Sequence, residues 1–516
     1  MTITLTPAGL QPDEVVAVAR TGAPVSLHAS AIDAINRGRA AIEALAASTT
    51  PVYGVSTGFG ALANVSIAAD QRTELQKAIV RSHAAGIGAP VPIEIVRAMM
   101  VLRLKTLASG RTGARLETAQ AIADLLNNHI TPVVPEFGSL GCSGDLAPLA
   151  HCALALMGEG MVWSAGEQIP AAEALRRHGL APITLAEKEG LALLNGTDGM
   201  LGMLLMALAD LAPLIDTADV VAAMSVEALR GTDSVFDPAL HHGVRQHPGQ
   251  AVSAALMWAS MADSEIVASH IDDPTQVQDA YSLRCAPQVS GAVRDIVDFV
   301  AAVCQRELAS TIDNPIVMPD GSVRSNGNFH GAPLAHAADY LAIALADLAS
   351  ICERRTDRML DPARSYGLPA FLAGDPGVDS GLMIAHYTQA SIVAEMKRDA
   401  TPASVDSIPT SAMQEDHVSM GWNAAMKLRR SISNLHHVVG IELMTACRAL
   451  DMRHPLAPSP VSAAVTAVLR ESIDGTGHDR FLSPEMSAAS AIVASGAVLH
   501  PAKRAMTSTS RGCPLS

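Results

Sequence analysis

The chain has 516 residues, a net charge of −15 and an aromatic content of only 3%, with a pI near 5.6 and a mean hydropathy of +0.25. An acidic chain this poor in rings lacks the basic surface and stacking side chains that nucleic acids or anionic membranes call for. A hydrophobic share of 49% is ample for a large core, and seven scattered cysteines without a CxxC pair read as reduced thiols of a cytoplasmic protein, with neither a disulfide frame nor a zinc site.

The N-terminus, Met1-Thr2-Ile3-Thr4-Leu5, has no basic region and no long apolar run, so no signal peptide is expected. No uninterrupted run of about 18 apolar residues predicts a membrane span. A β-like piece over Thr2–Thr6 precedes a helix around Ala31–Ala47. Pro51–Gly60 is then a loop by its glycines. Gly54-Val55-Ser56-Thr57-Gly58 fits the spacing of a nucleophile elbow, and Gly58–Ala63 fits that of a dinucleotide-binding turn. Neither sits in the alternating strand and helix pattern that gives those spacings their chemistry.

Helical periodicity follows over Gln71–His83, Ile93–Leu107 and Leu116–Leu126. Next comes Gly138-Ser139-Leu140-Gly141-Cys142-Ser143-Gly144-Asp145, a glycine-rich turn running into a helix through Leu149–Leu156, with Asp145 as the expected N-cap and Pro148 in the first turn. Shorter helices are predicted over Ala171–His178 and Glu187–Leu194, with a turn at Asn195-Gly196-Thr197-Asp198-Gly199. From Met200 the helices lengthen: Met200–Leu229 (broken near Pro213), Val289–Ser310, Pro333–Leu360, Leu382–Arg398 and Ala424–Met452. Leu341, Leu345, Leu348 and Cys352 form a one-face stripe, as do Ile432, Leu435, Val439 and Leu443. The expected fold is mainly α, with an N-terminal globular domain over 1–199 and a C-terminal bundle of long helices over 200–516. Such long apolar helices bury a face against other copies, so a homo-oligomer is expected.

Several loops carry candidate chemistry. The turn at 138–144 is an ordinary turn or an anion site; alternatively, if it presses the Gly144 nitrogen against the Cys142 carbonyl, a five-membered ring can close and dehydration of Ser143 would leave an exposed methylidene, an electrophile no ordinary side chain provides. Tyr53 is a packing tyrosine or, with its anion favoured by neighbours, a phenol base. Gln278-Asp279-Ala280-Tyr281-Ser282-Leu283-Arg284 places Tyr281 and Arg284 on one helical face. Arg284 there is either a surface partner of Asp279 or a guanidinium fork for a carboxylate. Asn195 reads as a turn asparagine, Ser325–Gly331 as a polar turn with one ring, and Gln414-Glu415-Asp416-His417 as a solvated charged face. His83 ends a helix, where the dipole favours it. The 18 histidines include two i,i+1 pairs but no compact ligand cluster, so no metal is expected.

Taken together, Tyr53–Gly60, Ser82-His83, Gly138–His151, Asn195-Gly196-Thr197, Gln278–Arg284, Asn326–Gly331 and Gln414–Ser419 resemble the signature segments of the histidine and aromatic amino acid ammonia-lyases. Those enzymes build 4-methylidene-imidazol-5-one (MIO) from an internal tripeptide, usually Ala-Ser-Gly. Here it is Cys142-Ser143-Gly144, a mild departure because the first side chain stays outside the ring. The resemblance implies Tyr53 as the base for the β-proton, Arg284 as the carboxylate clamp, Tyr281 as a phenol at the electrophile and Gln278 as a polar wall. It implies Asn195 as a donor to the MIO carbonyl, Phe329 packed against the electrophile, and His83 and Glu415 as partners of the substrate ring. Met413 stands where Asn is common, which puts the packing near Glu415 in doubt. The Ser-His pair at 82–83 is the form of the histidine branch, so L-histidine converted to trans-urocanate and ammonia is the expected reaction, in a homotetramer with shared sites. The alternatives are a phenylalanine or tyrosine ammonia-lyase, an aminomutase, or an inactive relative serving as an assembly module.

Overall fold

The computed structural model describes residues 2–47, 54, 57–58, 65–271 and 277–514. Tyr53, and with it most of the loop that held the elbow and dinucleotide spacings, lies outside the described residues. The protein is mainly α-helical, and its contacts group the chain into two compact units, each assembled from three segments. The first comprises 1–206, 300–339 and 402–426, and the second 207–299, 340–401 and 427–516.

The first unit holds every strand among the described residues. Ile3–Leu5 pairs in parallel with Val25–Leu27, and Met161–Ser164 lies between Thr131–Pro132 and Glu167–Pro170 in a small antiparallel sheet. Two further pairs join Ile87–Pro90 to Pro135–Phe137 and Ile316–Val317 to Val323–Arg324. Its centre is the helix Ile93–Ala108, buried at every position from Ile95 onward. A helix apolar all round belongs inside a core, and its buried cations need partners there. Arg97 donates to the Val18 and Leu126 carbonyls, and Lys105 to the Ser310 carbonyl. Arg103 donates to the Ala192 carbonyl at 2.9 Å and forms an ion pair with Asp198.

The second unit is built from long helical stretches: residues 207–228, 286–299, 340–360, 383–399 and 427–451. Both predicted stripes are buried, from Leu341 to Cys352 and from Ile432 to Leu443. A fully buried ion pair, Arg355 with Glu442, joins two of its segments, and Ser225 from the third donates to the same carboxylate at 2.8 Å. Breaking such a pair would strand a buried charge.

Helix positions agree closely with the sequence reading: Ala29–Ala46, Arg72–His83, Ile93–Ala108, Leu116–Asn127, Ala332–Leu360 and Gly421–Asp451. The break expected near Pro213 is absent, since Asp198–Ala228 runs through it. Pro213 lies on an exposed face and Ala209, whose carbonyl loses its helical donor, is partly exposed, so water can replace the missing bond. Glu189–Ala228 and Ala332–Leu360 are long and apolar enough by composition to cross a membrane, and 72% and 67% of those windows are buried within the chain. The sequence expectation had counted uninterrupted apolar runs, and both stretches are interrupted by acidic residues.

Candidate active site

Residues 138–144 form a turn that only glycine accommodates at its corners. Gly141 and Gly144 have φ of +66° and +73°, and a Cβ on Gly144 would collide with the Gly196 carbonyl. Backbone bonds fix the turn on several sides. The Gly141 carbonyl accepts from Gly331 N at 3.0 Å and from Ser419 Oγ at 2.7 Å, and the Leu140 carbonyl from Met420 N at 2.8 Å. Asp145 N donates to the Gly196 carbonyl at 2.7 Å. The loops around Asn195, Gly331 and Glu415 therefore converge on the tripeptide within one compact unit.

Asp145 corrects the sequence reading. It precedes the helix Leu146–Leu156, but its φ/ψ of −97°/59° do not turn the carboxylate back onto that helix, and no capping bond forms. Instead Oδ2 accepts from Gly199 N and Met200 N, both at 2.9 Å, and Oδ1 from Ser139 Oγ at 3.0 Å. Asp145 thus satisfies the first turn of the Asp198–Ala228 helix from a distant segment. Burial pushes its carboxyl up to about 7, against the pull of those donors and with Asp198 nearby.

Glu415 closes over the tripeptide. Its Oε1 accepts from Ser143 Oγ at 3.0 Å, and its Oε2 from Cys142 Sγ at 3.2 Å and Thr410 Oγ1 at 3.1 Å. The solvated charged face expected from residue type is, at Glu415, a half-buried carboxylate turned inward. Ahead of it Ser411, Ala412 and Met413 have φ of +54°, +52° and +68°. A left-handed backbone costs an ordinary side chain about 1–2 kcal/mol, and Asn tolerates it best after Gly. Met413 adopts it with its side chain exposed. Burial lowers His83, while the Ile79 carbonyl and the Glu415 charge pull it back up.

Asn195 is 3% exposed. Its Nδ2 makes one long bond to the Asn314 carbonyl at 3.4 Å, and its Oδ1 is buried without a partner. Phe329 is half-buried in the loop after Asn326, next to His330, whose ring stacks on His417 with centroids 5.8 Å apart. Among the described residues no three His, Cys, Asp or Glu side chains gather as a metal site.

Gln278, Tyr281 and Arg284 belong to the second unit. Tyr281–Arg284 forms one helical turn, with the guanidinium carbon 4.8 Å from the ring centroid, so the predicted shared face exists. Gln278 and Tyr281 are exposed. No ion pair with Asp279 forms: Asp279 Oδ2 accepts from Thr232 N at 2.7 Å, and the Arg284 charge acts on Asp279 only from beyond ion-pair distance. Its Nε is buried and unpartnered.

Sequence reasoning missed two contributors. Arg103 holds the turn that carries Asn195, and its charge inside an apolar helix was a usable signal. Thr410 offered none.

The chain is similar to known proteins over nearly its whole length. The profile of the aromatic amino acid lyase family matches residues 10–471. A histidine ammonia-lyase of Streptomyces avermitilis is 60% identical over 504 residues, which is 97% of this chain and 98% of that protein. The crystal structure of histidine ammonia-lyase from Trypanosoma cruzi superposes with a TM-score of 0.89 at 39% identity, covering 98% of this chain and 96% of that one. Tyrosine aminomutase from Streptomyces globisporus superposes with a TM-score of 0.92 at 34% identity over the full length of both. Enzymes of this family depend on MIO. With that profile covering most of the sequence and the glycine-cornered turn at its centre, the chain belongs to the aromatic amino acid lyase family.

Proposed function

We propose that the protein is a histidine ammonia-lyase, a carbon–nitrogen lyase converting L-histidine to trans-urocanate and ammonia. The observation that carries the substrate is the Glu415 carboxylate seated against Ser143 Oγ at 3.0 Å, with His83 near enough to feel its charge. Both groups can hydrogen-bond an imidazole, and a phenyl ring would leave them unpaired. The 60% identity to a protein named for that activity supports the same reading. The phenylalanine, tyrosine and aminomutase alternatives are less favoured, because the similar aminomutase shares only 34%.

The residues present fit an MIO group. Gly144 already has the backbone freedom and close packing against Gly196 that ring closure demands, and Asn195, the residue before Gly196, holds a buried, unsatisfied amide oxygen, an orientation an amide flip would exchange for the donor. Closure would join the Gly144 nitrogen to the Cys142 carbonyl carbon. That carbonyl oxygen would leave as one water with the amide hydrogens of Gly144 and Ser143, and the Ser143 hydroxyl with its Cα hydrogen would leave as a second. Once formed, the group would supply an electrophile for the substrate amine. In this reading Asn195 would donate to its carbonyl, and Phe329 and a Tyr281 phenol would pack at it. Tyr53 would remove the β-proton, and Arg284 would grip the carboxylate with Gln278 as a polar wall. His83 and Glu415 would orient the imidazole. We further propose a cytoplasmic homotetramer whose sites draw on more than one copy, in keeping with the exposure of Gln278 and Tyr281 on the single chain.

The test pairs two measurements on the purified protein. Urocanate absorbance should rise with L-histidine, cinnamate or coumarate absorbance should not rise with L-phenylalanine or L-tyrosine, and the intact mass should be short of the sequence mass by two waters. Turnover of phenylalanine comparable to histidine would promote the aromatic alternative.

A further inference from the structure

The two oxygens of Glu415 are engaged differently. Oε1 accepts from Ser143 Oγ at 3.0 Å. Oε2 accepts from Cys142 Sγ at 3.2 Å and from Thr410 Oγ1 at 3.1 Å. Loss of the second water removes Ser143 Oγ itself, so ring closure strips Oε1 of its donor. The Cys142 side chain stays outside the ring and Thr410 takes no part, so Oε2 keeps both of its donors. Maturation therefore vacates one carboxylate oxygen and leaves the other held.

We propose that Cys142 is a positioning residue, its thiol holding Oε2 of Glu415 so that the vacated Oε1 faces an imidazole N–H of the substrate. The inference rests on the histidine-lyase reading above. Cys142 is 8% exposed and packs with Val418 and Met420, flanked by Leu140 and Ala403, so its side chain is itself well fixed. Burial and the adjacent Glu415 carboxylate push the thiol up to about 12, which keeps it protonated and donating at neutral pH. A thiol is a weak donor, but a charged acceptor strengthens the bond. Alanine, the usual first residue of the tripeptide in the resembling enzymes, would fill the same place and donate nothing.

The experiment uses Cys142→Ala and Cys142→Ser, each alone and combined with Glu415→Gln, on protein whose intact mass shows both waters lost. The readouts are affinity for trans-urocanate by calorimetry and kcat/KM for L-histidine. Cys142→Ala should weaken both by about threefold to tenfold. Cys142→Ser, which keeps a donor, should recover most of the loss. In the Glu415→Gln background the Cys142→Ala change should alter urocanate affinity by about twofold or less, because its partner is gone. The S–H stretching band of Cys142, assigned by difference against Cys142→Ser, should move toward the free-thiol position in Glu415→Gln. Equal losses in both backgrounds, an alanine variant matching the parent, or an unmoved S–H band would overturn the positioning role. A parent that makes no urocanate would instead overturn the histidine-lyase reading.

Discussion

The turn at 138–144 and the turn Tyr281–Arg284 are both short and both carry proposed chemistry, yet they are held in opposite ways. The first is locked on several sides, by Gly196, Gly331, Ser419 and Met420, and its side chains already have partners in Glu415. In the second, Tyr281 is 70% exposed, and Arg284 has the Tyr281 ring against it and no carboxylate within ion-pair distance among the described residues. The difference matches the two tasks. A backbone that must condense on itself has to be compressed by its own unit, whereas a guanidinium that is to bind a carboxylate must be left without one. Unpaired charge at rest is what makes binding favourable later.

Substitutions can break this comparison at either end. The largest effect is expected at Ser143. Ser143→Ala should fold normally, show no loss of two waters by intact mass, and lose several orders of magnitude in kcat. Retention of substantial turnover would remove the electrophile from the locked turn. On the open side, Arg284→Lys keeps the charge and loses the bidentate fork, so affinity for L-histidine and for a carboxylate inhibitor should fall by about 10- to 100-fold. Unchanged affinity would make the exposed turn a structural one. A smaller effect is expected at His83. His83→Leu should lower kcat/KM for histidine by about tenfold, equivalent to about 1.4 kcal/mol, and narrow the preference over phenylalanine. Paired kinetics on both amino acids measures this, and an unchanged ratio would detach His83 from specificity.

The smallest effect on chemistry, and a distinct one on stability, belongs to Asp145. Asp145→Ala leaves the Gly199 and Met200 N–H groups without their acceptor in a buried place, at a cost of about 2–4 kcal/mol. Thermal melting should show a clear drop in midpoint. A midpoint equal to the parent's would mean that those N–H groups find another partner and that the locked turn does not depend on this carboxylate.

Much of the secondary structure was legible because it is written in local pattern. A 3.6-residue apolar period needs no partner to be recognised, and Ile93–Ala108, Ala332–Leu360 and Gly421–Asp451 were foreseen to within a few residues. The break assigned to Pro213 failed for a reason outside that pattern, since only the folded chain shows that Pro213 is exposed and Ala209 partly exposed. Asp145 failed in the same way. Its sequence position suits an N-cap, but the partner it meets lies some 50 residues on in the chain, at Gly199 and Met200.

The chemistry divides along the same line. Sequence alone determined which residue types are present and that three glycines make the 138–144 turn foldable, because backbone freedom is a property of each residue. It also carried the family resemblance, through segments whose spacing survives in linear order. Only the tertiary structure decided that 402–426 returns to the unit containing the tripeptide, placing Glu415 against Cys142 and Ser143 across more than 270 positions. It also decided that Asp279 accepts from Thr232 N and that Arg284 forms no ion pair among the described residues. Distances between groups far apart in sequence are set by packing of whole helices, and no local pattern encodes them.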